Sequence, residues 1–403
     1  MVAAAHVAAK RGAPKRKTGP RPALILDAVR TPYGARGGAL SAWHPVDLAA
    51  EVLSLLIDRS GIDAAVVEDV VFGCTTPVGS QAWNIARRAA LAAGWPEGVP
   101  GTTVDRHAAS SAQAVHWAAQ AVMSGAQELV VAGGVEVMTA VPLGASVAVP
   151  EIGKPYGQRL QQRYKRGEGL LPPGLAAEEV ARRWGLARPD LDAWALASYE
   201  KAARAQRNRP SYFLPVESSS GTKLSKDEAV VRPLRRSDIG RLLPAYMEGG
   251  AVTAANIAAE GDGASAVLIA SPDRAAALGQ TPIARFVSFA VAGTEPAVWP
   301  TATLPATWGA LERAGLGVED IDRWEVHESS AAAVLAWLAV TKVEAERVNR
   351  DGGALATTAP LGAVGAGLFA TAVAGLVDRS ERRALVCVAG EGGVGTACVL
   401  ERV

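Results

Sequence analysis

Cysteine is scarce in this chain: Cys74, Cys387 and Cys398 are the only three among 403 residues. Their separation fits neither a metal-ligand spacing nor a disulfide framework, so no metal is expected and a reducing, cytoplasmic setting is the default. Long apolar runs are lacking too. Each stops well short of the roughly 20 residues a membrane helix needs, which points to a soluble protein with no membrane partner. Neither sign of charge is in excess, since 41 Lys and Arg against 40 Asp and Glu leave a net +1. Neutralising a nucleic-acid backbone takes a clustered basic surface, so nucleic acid is not an expected partner. One local exception is the acid-free segment 1–22, which carries Lys10, Arg11, Lys15, Arg16, Lys17 and Arg21. Its basic residues follow its short Ala/Val run, the reverse of a secretory signal, and it reads as a disordered basic tail.

What is present is the material of a large core. Hydrophobic residues make up 49% and charged residues 20%, with 42 Gly, and a chain of this length suggests two or three domains. From Ala23 onward, short Val/Ile/Leu segments alternate with amphipathic helical patterns. Strands are expected at Ala23–Val29, Val70–Cys74 and Glu128–Ala132, with helices over Pro45–Ser60 and Ala112–Ser124. Segment 144–251 is richer in Arg, Lys, Tyr and Pro and reads as a helical insertion. Strands resume at Ala266–Ala270, Ile283–Val291, Arg323–Val326, Ala354–Thr357, Leu385–Ala389 and Thr396–Leu400. Such alternation predicts an α/β protein with a largely parallel sheet covered by helices on both faces. The second half (276–403) echoes the first (23–143 with 252–275). In each, a strand ends in a small-residue loop that opens a long Ala/Gly helix, Ala108-Ala109-Ser110-Ser111 in one and Ala359-Pro360-Leu361-Gly362-Ala363 in the other, so both loops can meet at a shared site.

The stretch Val104–Ser111 is where chemistry is expected. A strand-to-helix turn presents unpaired backbone N–H groups and the positive end of the helix dipole, which lower a nucleophile's pKa or stabilise an oxyanion. Ala109, Ser110 and Ser111 allow another backbone to come close, and either serine is suited to cap the helix. No cysteine stands in the turn; the residue best placed to be one is Ala108.

Several blocks resemble the thiolase family, the degradative acyl-CoA acetyltransferases in particular. Arg30-Thr31-Pro32 with Gly37-Gly38-Ala39-Leu40 resembles the family's opening signature, and Gln81-Ala82-Trp83-Asn84-Ile85-Ala86-Arg87 its next block. Gly133-Gly134-Val135-Glu136-Val137-Met138 is similar to the Gly-Gly-x-Glu-x-Met turn. Glu325-Val326-His327-Glu328 resembles the Asn/His-Glu motif, and Asn349-Arg350-Asp351-Gly352-Gly353-Ala354-Leu355-Ala356 the approach to Gly-His-Pro. The resemblance implies the thiolase fold: two similar βαβαβαββ halves forming a five-layer α-β-α-β-α core, a helical loop domain over the substrate arm, and homodimers or homotetramers.

It also implies a site with its usual chemistry missing. Ala108 occupies the slot of the acyl-accepting cysteine, Ala359 that of the Gly-His-Pro histidine, and Ala389 that of the second cysteine, while His327 stands at the position that holds a water in the oxyanion hole. Cys387, two residues before Ala389 and on the same strand face, is expected deeper in the core. Candidate catalytic residues are therefore His327, Glu391, His107 and Ser110, with the backbone N–H groups of Ala108 and Glu391 as oxyanion donors. A carboxylate in the Gly-rich loop 391–395 would have a raised pKa and suit proton transfer. Substrate binding is assigned to Met138, Ala258, Thr358 and the basic residues Arg232, Arg235 and Arg236, whose charge suits the phosphates of CoA or of a carrier-bound phosphopantetheine. No permanent cofactor is expected; the thioester is substrate.

The function implied is acyl transfer or C–C bond formation or cleavage on an acyl thioester without a cysteine nucleophile, with a small accessory protein or carrier protein as a further partner. The alternatives are a catalytically inactive thiolase-like scaffold or regulatory subunit, and an engineered inactive thiolase.

Overall fold

The computed structural model describes residues 21–148, 153–164, 170–208, 210–218, 220–231 and 234–403. The expected basic tail lies outside these apart from its last two residues. Arg21 does not belong to a free tail: its guanidinium donates to the Val122 and Gln127 carbonyls, 2.6 Å each, and to the Glu128 carboxylate.

The first half runs β1 (Leu24–Arg30), α1 (Pro45–Ser60), β2 (Asp69–Gly73), α2 (Ile85–Ala92), β3 (Gly101–Val104), α3 (Ser110–Ser124) and β4 (Leu129–Val137). The insertion contributes α4 (Pro173–Trp184) and α5 (Arg188–Ala205), after which β5 (Gly261–Ala270) returns to the sheet. The second half runs β6 (Ala284–Gly293), α6 (Thr303–Ala314), β7 (Arg323–Val326), α7 (Ala331–Thr341), α8 (Ala354–Thr357), α9 (Leu361–Asp378), β8 (Arg383–Gly390) and β9 (Val394–Arg402). Local chemistry sets the ends. Helix α1 starts at Pro45, whose missing N–H and fixed φ suit the first position, under a His44 side-chain cap, and stops at Gly61 in the left-handed conformation (φ 66°).

The strands form a ten-stranded sheet in the order β7-β8-β9-β6-β1-β5-β4-β2-β3, with Gly34–Ala35 paired beside β5. The halves meet edge to edge where Leu24 pairs with Arg285 and Ile25 with Ala284. Their internal layouts match: β2/β4 and β7/β8 are parallel, β4/β5 and β8/β9 antiparallel. The expected largely parallel sheet is thus a mixed one. The reason is that β8 and β9 form a hairpin, and β5 re-enters from the insertion antiparallel to both β4 and β1.

A second correction concerns Ala354–Thr357, which is helix α8 rather than a strand. The sheet edge beside β7 is closed earlier by Asn349. Its backbone N–H donates to the Trp324 carbonyl (2.8 Å), while its side-chain amide takes the Val326 N–H (2.8 Å) and donates to the Val326 carbonyl (2.9 Å). With those groups satisfied, a further strand has nothing to pair with.

Packing produces five layers. Helices α3 and α9 lie together between the inner sheet faces, where Ala112, Val115 and Ala119 meet Ala366, Phe369 and Val373. Helices α1 and α2 cover the outer face of the first half, and α6 and α7 that of the second. The central crossing is close: a Cβ on Gly365 would stand 2.6 Å from the Ala112 nitrogen. Helix α9 also corrects the expectation that no apolar run reaches membrane length. It is long and apolar enough to span one, yet 83% of it is buried inside the fold.

Candidate active site

Loops from both halves converge over the N-termini of α3 and α9. The loop Asp105–Ala109 leads into α3, and Thr358–Pro360 leads into α9. Between β8 and β9 the hairpin turn Glu391-Gly392-Gly393 needs its glycines, at φ 79° and 86°. Gly390 lets this hairpin close on the first loop, since a Cβ there would lie 2.7 Å from the Arg106 carbonyl oxygen. The second loop is seated on the first half. Gly362 fits against the Val135 carbonyl and the Glu136 carboxylate, where a Cβ would approach to 2.4 and 2.6 Å.

Together these loops border a cavity of about 280 Å³. Its wall brings together Ala108, Ala359, His327, Glu391, Met138 and Ala258 of the residues singled out by sequence. The insertion adds Pro172, Pro173, Gly174 and Tyr246. Ala389 is buried just behind, packed with Trp299, Ala302 and Ala176. Cys387 shares its strand face and lies in the core of the second half, as expected.

Other assigned residues are elsewhere. The Ser110 hydroxyl donates to the His107 carbonyl (2.5 Å) and accepts from the Arg106 N–H (2.8 Å), so it closes the turn and does not reach the cavity. Thr358 is turned away, its Oγ1 near the Gly34 carbonyl (3.4 Å) and against Gly261. Arg235 and Arg236 are exposed, and Arg236 borders a separate surface groove with Pro189 and Ile239. Charge alone could not say which way the insertion presents them. Arg232 lies outside the described residues. His107 is exposed beside the cavity, with its Nδ1 4.0 Å from the Glu391 carboxylate.

The electrostatics separate these groups. Burial pushes the His327 imidazole down to about 4, against a small opposing pull from the Ala389 carbonyl, and neither ring nitrogen has a hydrogen bond of good geometry. Burial raises the Glu391 carboxyl, with Asp105 adding to the effect and His107 opposing it. Glu328 is fully engaged by Trp194, Ser198, Asn349 and the Leu355 N–H, and so ties α5 to β7. All three cysteines are buried. Burial raises each thiol, Cys387 to about 12, which leaves no accessible thiolate. Among the described residues no cluster of three or more His, Cys, Asp or Glu side chains is arranged to hold a metal.

Several residues of the wall escaped sequence reasoning as site groups, among them Trp299, in the 3-10 segment Pro296–Ala302 after β6, and Ser329, after β7. The only signal for Trp299 was a large aromatic in an otherwise small-residue segment. Ser329 directly follows the His327-Glu328 motif, but residue type alone does not place it on a wall.

Comparison with known proteins agrees with this architecture. Residues 23–273 match the thiolase N-terminal domain and residues 280–402 the thiolase C-terminal domain. A steroid 3-ketoacyl-CoA thiolase of Mycobacterium tuberculosis is 39% identical over 388 residues, 94% of each chain. A 3-oxoadipyl-CoA/3-oxo-5,6-dehydrosuberyl-CoA thiolase of Escherichia coli is 37% identical, covering 95% of this chain and all of the relative. The solved structure of the Bacillus anthracis acetyl-CoA acetyltransferase superposes with a TM-score of 0.88 at 30% identity, over 96% of this chain and 100% of that one.

Proposed function

The chain belongs to the thiolase family, and on that premise we propose that it acts on an acyl thioester, presented as a CoA ester or on a phosphopantetheine arm, without a cysteine nucleophile. One observation carries this reading: Ala108, Ala359, His327 and Glu391 share a cavity, whereas every thiol of the chain is buried elsewhere. In this reading Ala108, Ala359 and Ala389 take the places of the family's nucleophile, its activating histidine and its second cysteine. The relatives' names, all CoA-ester thiolases, support the substrate class.

The remaining groups suit direct chemistry on the ester. The backbone N–H groups of Ala108 and Glu391 polarise the thioester carbonyl, a role that an alanine keeps because the donor is main chain. The Glu391 carboxyl, raised by burial, exchanges the proton. His327 is neutral near pH 7 and orders a water rather than acting as base. The reaction is then acyl transfer, or C–C cleavage or formation of the retro-aldol or Claisen type. Segment 144–251 forms the cover of the substrate arm, and homodimers or homotetramers, with a small accessory or carrier protein, complete the reading.

The test is incubation with a panel of acyl-CoA and acyl-carrier esters, following product by mass spectrometry. Glu391→Gln is expected to lower turnover by about 100-fold or more, the usual weight of a general acid or base, and His327→Ala by less. Unchanged turnover in both removes the assigned roles. Reinstalling Ala108→Cys, Ala359→His and Ala389→Cys together is expected to give an acyl adduct at position 108. Alanines at these positions also suit a non-catalytic subunit, which would bind the ester and release no product.

A further inference from the structure

Glu391 borders the cavity, and a titratable side chain from the other half of the molecule stands beside its carboxylate. His107 Nδ1 is 4.0 Å away, a gap that a small rotation or one intervening water turns into a hydrogen bond. Both side chains keep contact with solvent, 46% and 30% exposed, so either can change its charge without unfolding anything. The backbone beneath them is fixed. His107 sits at φ 51°, its N–H held by the Asp105 carboxylate (2.9 Å) and its carbonyl by Thr75 Oγ1 (3.1 Å) and Ser110 Oγ (2.5 Å). On the facing hairpin, a Cβ on Gly390 would stand 2.7 Å from the Arg106 carbonyl oxygen and 3.1 Å from the His107 Cβ. Contact between the halves therefore sets the distance between the two side chains.

Asp105 makes this a meeting of three charges. An imidazolium near a carboxyl favours its ionised form, and a second carboxylate disfavours it. Both influences are present at Glu391: burial raises its carboxyl, His107 opposes that rise and Asp105 adds to it. The other charged or titratable groups of the neighbouring segments are engaged elsewhere or lie along the wall. Arg106 acts on His116. Glu295 follows Thr294, whose N–H donates to the Gly393 carbonyl (2.7 Å), and is paired with Arg183 (2.5 Å). Glu260 and His327 line the cavity, the former held by Arg36 at 2.7 Å. Taking a proton from a substrate requires the ionised carboxylate, and giving one back requires the acid.

We infer that His107 and Asp105 are positioning residues that set the charge of Glu391, the His107 imidazolium favouring the carboxylate and the Asp105 carboxylate favouring the acid. This rests on the reading that Glu391 exchanges a proton with an acyl thioester. The imidazole beside the acid then comes from the turn before α3 rather than from the position of Ala359.

Carbon-13 labelling of the glutamate side-chain carboxyls, with Glu391→Gln identifying the Glu391 signal by its loss, follows this charge directly by NMR. His107→Asn, a residue that tolerates the positive φ, is expected to move the Glu391 midpoint to higher pH. Asp105→Asn, which keeps an oxygen for the His107 N–H, is expected to move it to lower pH. A purely structural role for the turn gives no such opposed displacements. The consequence for chemistry is read from exchange of the α-protons of acetyl-CoA, butanoyl-CoA and hexanoyl-CoA in D2O by mass spectrometry. Without the imidazolium less carboxylate is present on the acid side, so His107→Asn is expected to lower kcat near pH 6 by about fivefold with KM within about twofold, the deficit closing toward pH 8. If neither substitution moves the midpoint, if both move it the same way, or if kcat near pH 6 is unchanged in His107→Asn, the inference is wrong while the thioester reading stands. If the folded wild-type protein neither binds nor exchanges any of the three esters, the thioester reading falls and takes this inference with it.

Discussion

His107 and Thr358 occupy matching places in the two halves. Each precedes the alanine that borders the cavity, and each has a positive φ, 51° and 72°. The turns around them are held differently. The first takes its hydrogen bonds from its own half: Ser110 bonds both Arg106 and His107, the Asp105 carboxylate accepts the His107 N–H (2.9 Å), and Thr75 Oγ1 donates to the His107 carbonyl (3.1 Å). The second is held by the other half of the molecule. The Ala359 N–H reaches the Ala259 carbonyl (2.9 Å), Ser265 Oγ reaches the Ala363 carbonyl (2.6 Å), and Gly362 sits on Val135 and Glu136. Thr358, at φ 72° and ψ 170°, lies in a region almost reserved for glycine, at a cost of about 1–3 kcal/mol. A turn hydrogen-bonded within its own half can leave a histidine in solvent; a turn templated from the other half can keep a strained, β-branched residue, because its surroundings over-determine the backbone.

The largest effect is expected where the template is removed. Glu136 accepts from the Thr75 N–H (2.7 Å), the Thr76 N–H (3.2 Å), Gln81 Nε2 (2.6 Å) and the Gly362 N–H. Glu136→Ala strands these buried donors and is expected to cost about 4 kcal/mol in urea unfolding. A cost no greater than that of Ser110→Ala would show that the second turn does not depend on the first half.

Acid probes the two halves in parallel, because each holds a buried histidine. Burial lowers His116, on α3, to about 3 and His327 to about 4, from 6.5. A neutral histidine in the fold faces a protonated one in the unfolded chain below pH 6.5. Stability present above that pH is therefore lost as pH falls from 6.5 toward 4, by roughly 3 kcal/mol for His327. His327→Asn and His116→Phe are each expected to flatten the dependence of Tm on pH across that window, and an unaltered slope in either rules out its histidine.

Smaller effects sharpen the contrast between turns. Ser110→Ala is expected to cost about 1–2 kcal/mol while leaving ester affinity unchanged, since Ser110 does not line the cavity; a changed affinity would return Ser110 to the site. Thr358→Gly relieves strain but frees the unfolded chain, for a net gain of about 1 kcal/mol. A lower Tm would mean that the Thr358 contacts with Gly34 and Gly261 outweigh the strain.

Much of this architecture is legible from residues alone. Helix Pro45–Ser60 is visible end to end because its proline start, apolar periodicity and terminal glycine agree. Strand Arg323–Val326 is likewise found at its observed limits. Ala354–Thr357 is not, because four small apolar residues have no length or period to decide between strand and helix, and the Asn349 contacts that settle the matter are not local. Parallel and antiparallel pairings are also indistinguishable by pattern where the strands are buried on both faces. In the site, residue type marked Ser110 as a candidate, but only geometry reveals that its hydroxyl is used up by the turn. Trp299 comes into play through a loop whose path depends on the packing of Ala176 and Ala389 behind it.

Helix α9 has a consequence for how the chain is made. It is made after every strand of the first half, yet it packs on α3 and on β1, β4, β5, β7 and β8. Until it arrives, the inner face of the first half, with Ala28, Val130, Ala132, Val267 and Ile269, is covered in part, by α3 and by Tyr212 and Phe213 of the insertion. An uncovered apolar β-face invites association between nascent chains. The first half is therefore complete in sequence before its inner face is fully covered. A product truncated before Leu361 is expected to aggregate rather than survive as a folded half.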